Sequence, residues 1–169
     1  LPAFGAAIIA ALAQIVIPIG AVPITLQTFA VGLVAAILKP REATLAATLY
    51  LILGAIGLPV FAGGGGGLQA FFGPSAGYLL AYPFFALVTS ALAHAKTPIW
   101  KIFLAFVLGD ALVFVGGILS LHFLGKMGWS AAVAVGLTPF IIPDLLKGLI
   151  VALVTKPVLK ALKNHSYFN

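Results

Sequence analysis

Cysteine is absent from this 169-residue chain, and charge nearly so: three acidic residues (Glu42, Asp110, Asp144), nine basic ones, and 7% charged residues in all. Without cysteine there is neither a disulfide framework nor thiolate chemistry. A soluble domain carries roughly 25% charged residues, so this chain has too little charge to present a wettable surface. The pattern G-x-x-x-x-G-K-[ST] is missing, which excludes a phosphate cradle of that kind despite five consecutive glycines. His94, His122 and His165 share no metal-ligand spacing, and neither a metal nor another cofactor is expected. The basic excess, a net charge of +6, forms no amphipathic stripe and does not point to nucleic acid.

What the chain has instead is apolar length. Hydrophobic residues make up 63% of it and the mean hydropathy is +1.23. That composition reads as an all-α integral membrane protein lying in a lipid bilayer. Six transmembrane helices are expected within one domain, residues 1–169, at about 3–17, 24–38, 42–56, 75–94, 102–123 and 143–162. The chain opens at Leu1 without a methionine or a basic leader, so a trimmed start is expected. No cleavage-like junction follows the first apolar run, which favours a spanning helix over a signal-peptide core. Between the last two spans, 125–139 reads as a loop with a short helical piece, Trp129 at an interface. Some spans fall short of the ~20 residues of a straight crossing.

Six crossings put both termini on one side, with the turns at 39–42 and 95–101. Those regions hold Lys39, Arg41, Lys96, Lys101, Lys156, Lys160 and Lys163, seven of the nine basic residues. By the positive-inside rule both termini are cytoplasmic. The sequon Asn164-His165-Ser166 then falls on the cytoplasmic side and is discounted. The outward loops are Pro18–Pro23, the glycine segment and 125–142, and together they form the mouth of an outward-facing pocket.

The glycine segment runs from Gly57 to Tyr82. It contains Gly63, Gly64, Gly65, Gly66 and Gly67, with Pro59 and Pro74 opposing a long helix. It also carries Phe61, Phe71, Phe72, Tyr78 and Tyr82, so it is no polar linker. Lipid cannot satisfy its bare amides, so it must lie on protein or line a cavity. We read it as the wall and lid of a small-molecule pocket; a long inter-helix turn is the plain alternative.

Two charges belong to no turn. Asp144 and Lys147 are three residues apart in the last span and share a helix face. Each costs on the order of 3 kcal/mol at bilayer depth, so pairing, water or a ligand must compensate. One reading is a self-neutralising ion pair. The other is a site in which Asp144 accepts substrate N–H groups while Lys147 donates to a carbonyl or pairs with a carboxylate. Gln27, from the first outer loop, is a further candidate contact. Asp110 lies mid-span without an opposite charge nearby in sequence. In the first span Ala3, Ala7 and Ala11 repeat at four-residue spacing, a side without bulk that suits close helix docking.

Several stretches resemble the BioY family, in that family's order. They are Pro18-Ile-Gly-Ala-Val-Pro-Ile-Thr-Leu-Gln27, Gly57-Leu-Pro-Val-Phe-Ala-Gly-Gly64, Gly66-Gly-Leu68, Phe72-Gly-Pro-Ser-Ala-Gly-Tyr-Leu79 and Ile142-Pro-Asp-Leu-Leu-Lys147. BioY proteins are the biotin-capturing S subunits of energy-coupling factor (ECF) transporters. The resemblance covers nearly the whole chain. It implies the six-helix S-component fold and biotin uptake from outside across a bacterial or archaeal plasma membrane. Its implied partners are a transmembrane T subunit, docked on the face of Ala3, Ala7 and Ala11, and two ATP-binding cassette ATPases. No reaction is expected on this chain itself.

The family's acid-and-lysine pair corresponds to Asp144 and Lys147, and its glycine loop to Gly63 through Gly67. Biotin's ureido ring has two N–H donors and one carbonyl, suited to such a pair, and its apolar ring suits Phe61, Phe71, Phe72, Tyr78 or Tyr82 as walls. Some members carry Asn and Arg where this chain has Gly65 and Leu79. The ligand's carboxylate is therefore left to the glycine-loop amides, Lys147 or solvent. Two alternatives stand beside this reading: an S component for another vitamin, or an intramembrane aspartyl protease using Asp110 and Asp144. Against the second, Lys147 would hold Asp144 ionised.

Overall fold

The structure, a computed structural model, describes residues 1–17, 24–74, 76–93, 97–162 and 167. The Pro18–Pro23 loop, Ser75, His94, Lys96, Lys163 and the sequon at 164–166 lie outside the described residues. Among the described residues six helices of 11 residues or more and one of eight make up the bundle. They are α1 (Pro2–Leu12), α2 (Gln27–Ile37), α3 (Pro40–Ala55), α4 (Ala76–Leu92), α5 (Ile99–Phe123), the short α6 (Trp129–Gly136) and α7 (Ile141–Leu162). Two strands, β1 (Val16–Ile17) and β2 (Ile24–Thr25), pair antiparallel with Val16 opposite Thr25.

The first helix is shorter than the apolar run that suggested it. It stops at Leu12, and Ile15-Val16-Ile17 goes extended into the small hairpin. Three β-branched residues ahead of Pro18 favour that outcome, because proline pushes the preceding residue out of the helical region. The second helix begins at Gln27 rather than at 24. The Thr25 hydroxyl accepts the Gln27 N–H at 3.2 Å just ahead of its first turn and occupies one orphan donor. Pro40, with Lys39 extended before it, starts α3, and Glu42 lies in its first turn. The stretch 125–139 holds the short α6, with Trp129 half exposed at its start, and runs into a tight turn at Thr138–Phe140.

Small residues set the packing. A Cβ on Gly77 of α4 would lie 1.7 Å from the Gly116 carbonyl oxygen of α5, so these two helices touch through bare backbone. Gly109 and Gly117 of α5 make room for Thr89 and Tyr78 of α4 in the same way. Phe106 sits at the centre of the bundle, edge-on to Phe85 at 5.2 Å and lodged against Gly32 of α2 and Gly148 of α7. Buried hydroxyls return to backbone: Thr89 donates to the Ala105 carbonyl at 3.1 Å and Ser90 to that of Leu38 at 2.7 Å. A polar group left unpaired there would cost several kcal/mol.

The outside of the bundle is as apolar as the inside. Leu104, Leu108, Val115, Leu119 and Phe123 of α5 and Ile142, Leu146 and Leu153 of α7 are exposed. Helix α5 and the stretch Trp129–Leu162 are long and apolar enough to cross a membrane; at 1.5 Å per residue the 25 residues of α5 reach about 37 Å. By contrast α1 and α2 have 11 residues each and reach about 16 Å. The space left where short helices stop beside long ones is filled by the hairpin and the glycine segment.

Candidate ligand-binding site

At that end of the bundle lies a half-open cavity of about 340 Å³. Thr25, Gln27 and Thr28 approach it from the start of α2, and Tyr78, Leu79 and Tyr82 from α4. Val113 and Phe114 of α5 and Phe140 before α7 form one wall, Asp144 and Lys147 of α7 the floor. Phe61, Ala62, Gly65, Gly66, Gln69, Ala70 and Gly73 roof it.

The floor is an ion pair built into a hydrogen-bond network. Lys147 Nζ lies 3.0 Å from Asp144 Oδ1, and both side chains are buried. The same ammonium donates to the Thr25 carbonyl at 2.7 Å and to Thr28 Oγ at 3.0 Å. An ammonium has three donors, so all three are engaged by protein. Asp144 keeps one carboxylate oxygen outside the ion pair. It stands in the first turn of α7, where the helix N-terminus favours a negative charge. Breaking such a buried pair by removing one partner costs about 3–5 kcal/mol.

Beside it the Gln27 amide is fixed at both ends. Its Nε2 donates to the Tyr50 hydroxyl at 2.8 Å, and its Oε1 accepts from Tyr82 at 3.2 Å and from Thr25 at 3.0 Å. The aromatic side is held as firmly. Phe61 is buried in the notch left by Gly54, edge-on to Tyr50 at 5.5 Å and to Phe71 at 5.8 Å. Tyr78 donates to the Gly136 carbonyl at 2.6 Å and so ties α4 to α6.

Of the residues proposed from sequence, the cavity gathers Gln27, Gly65, Gly66, Tyr78, Tyr82, Asp144 and Lys147. Three glycines serve the roof from behind. The Gly63 N–H bonds the Ala13 carbonyl at 3.2 Å and that of Gly67 the Gly54 carbonyl at 2.6 Å, while a Cβ on Gly64 would face the Gln14 side chain at 3.7 Å. Phe72 is not a wall. It is 73% exposed and outside the cavity lining, because the tight turn Leu68–Phe71 directs Phe71 inward and leaves its neighbour outside. Ala3, Ala7 and Ala11 share the exposed side of α1, with Ala6 and Ile9 buried on the other.

Sequence reasoning missed Thr28, Gln69, Val113, Phe114 and Phe140. Thr28 had a legible signal, a hydroxyl next to Gln27 in an otherwise apolar stretch. Phe114 stands one helical turn beyond Asp110. Asp110 itself is buried behind the cavity, its carboxyl facing Asp144 and Lys147. Its Oδ1 has no hydrogen-bond partner among the described residues.

Comparisons with known proteins bear on the family and the fold. Residues 1–164 match the model of the BioY family. The chain belongs to the BioY family. Biotin transporter BioY2 of Lactococcus lactis subsp. cremoris is 44% identical over 168 residues, 98% of this chain and 92% of that protein. Biotin transporter BioY of Thermotoga maritima is 39% identical over 142 residues, 84% of this chain and 83% of its own length. A crystal structure of the S-component for biotin from an ECF-type ABC transporter superposes with a TM-score of 0.86 at 29% identity, over 94% of this chain and 88% of that one. This BioY-family chain is thus a membrane protein with the ECF S-component fold, and a transporter component rather than an enzyme. Neither the protease reading nor another vitamin finds support among these relatives.

Proposed function

We propose that the protein captures biotin at the outer face of the membrane and presents it to ECF partner subunits for uptake. One observation carries this: a buried Asp144–Lys147 pair at 3.0 Å, opening on a cavity with an aromatic wall. The Asp144 carboxylate, which the Asp110 side chain also touches from behind the cavity, accepts the ureido N–H groups. The ureido carbonyl draws a donor from Lys147, which trades its bond to Thr28 for one to the ligand. Tyr78, Tyr82, Phe61, Phe114 and Phe140 enclose the fused rings, since small ligands take most of their contact from apolar walls. The carboxylate tail lies at the mouth, where the Gly66 N–H has no hydrogen-bond partner among the described residues.

Six crossings with cytoplasmic termini fit the position of the basic residues. The transmembrane T subunit packs on Ala3, Ala7 and Ala11, and two ATPase subunits supply the energy. No covalent step occurs on this chain. The test is a biotin titration of the purified protein beside Asp144→Asn and Lys147→Met, with riboflavin, thiamine and pantothenate as competitors. Each variant is expected to bind at least about tenfold more weakly, consistent with losing a charge-assisted bond, and the competitors to have no effect. Equal affinity in all three proteins would overturn the polar site; displacement by another vitamin would overturn the ligand.

A further inference from the structure

Gln14 has no place in the cavity, yet it is the side chain that fastens the roof. It follows α1, in a chain with very few polar residues, and is exposed at the outer end of the bundle. Its Nε2 donates to two carbonyls at once, that of Ala10 in the last turn of α1 at 3.0 Å and that of Phe61 at 3.1 Å. A second strand of the same tie lies alongside: the Gly63 N–H donates to the Ala13 carbonyl at 3.2 Å. Phe61 is the pivot of the roof, because its ring both lines the cavity and packs on Tyr50, the partner of Gln27. On either side of it the chain turns through glycines with positive φ, Gly57 at 109°, Gly63 at 63° and Gly64 at 84°, conformations that glycine adopts freely. A roof hinged on glycines stays where its few hydrogen bonds hold it.

We infer that Gln14 is a positioning residue for ligand retention: it pins the backbone of Phe61 to the end of α1 and keeps the glycine roof closed over bound ligand. The bond uses only donors of Gln14, so its chemistry can be separated from its shape. This inference rests on biotin being the ligand, and the experiment tells the two apart. Biotin association and release are followed on the full-length protein in lipid nanodiscs, with apo unfolding midpoints measured in parallel. In Gln14→Glu, isosteric but without the donors, and in Gln14→Met, release is expected to accelerate about tenfold while association changes by less than about twofold, the size of effect one or two net hydrogen bonds give. Gln14→Arg, which restores N–H donors, is expected to bring release back toward wild type. Unchanged release in Gln14→Glu and Gln14→Met overturns the proposal. So does a lowered apo midpoint with unaltered release, which would make Gln14 a residue of the fold alone. A wild-type protein that binds no biotin overturns the ligand assignment and, with it, this inference, whereas binding with unchanged variants sinks the inference only.

Discussion

Lys147 illustrates how a side chain can be read correctly in kind and only partly in role. Its spacing from Asp144 gave away the ion pair, at 3.0 Å, because i,i+3 side chains share a helix face whatever the tertiary structure. Nothing local revealed that its other two protons reach Thr25 and Thr28, 122 and 119 residues earlier in the chain. Of these two bonds, the one to Thr28 ends on a replaceable hydroxyl. Thr28→Val should therefore leave biotin affinity within about threefold of wild type, the freed N–H turning to ligand or water in the half-open cavity. A calorimetric titration showing a tenfold loss would instead make Thr28 a ligand contact. Asp110 provides the contrast. It faces Asp144 from outside the cavity lining, so Asp110→Asn should weaken binding far less than Asp144→Asn, and the reverse order would place Asp110 at the ligand.

At the scale of elements, helix existence was legible and helix length was not. The run at 3–17 looked like one span because its hydropathy is uniform. The break after Leu12 comes from a β-branched triplet before proline and from hydrogen bonds to a distant loop, which periodicity does not report. Glycine was legible as punctuation in the 57–82 segment, yet its second use, at the contact of α4 with α5, emerged only when the helices were packed. That contact makes a sharp prediction. A methyl on Gly77 meets the Gly116 carbonyl oxygen at 1.7 Å, with Gly116 in turn held by Gly77 and Ala81. Backbone cannot move aside as a flexible side chain does, so Gly77→Ala should destabilise by at least the 1–3 kcal/mol or so usual for overpacking. Gly128→Ala is the control, since nothing lies within 4 Å of its added Cβ and its φ is −63°. Thermal unfolding in detergent should show a clear drop for the first and none for the second.

Across the whole molecule the two ends of the bundle differ in charge. At one end stand the α2–α3 turn with Lys39, Arg41 and Glu42, the start of α5 with Lys101, and the end of α7 with Lys156 and Lys160. Tyr167 closes this end: its hydroxyl accepts the Lys39 N–H at 2.8 Å and donates to Glu42 at 3.2 Å, with the Lys39 ammonium 4.7 Å over its ring. At the other end lie the cavity, the hairpin and α6, with Lys126 in the connection from α5 to α6. The positive-inside rule turns this asymmetry into an orientation, and the absence of cysteine makes it cheap to read. A single cysteine at Lys126 should react with an impermeant maleimide added to intact cells, while one at Lys160 should react only after the membrane is opened. Equal labelling of both from outside would mean mixed insertion. Labelling of Lys160→Cys alone would invert the topology, put the biotin site on the cytoplasmic face, and leave the capture mechanism without a source of ligand.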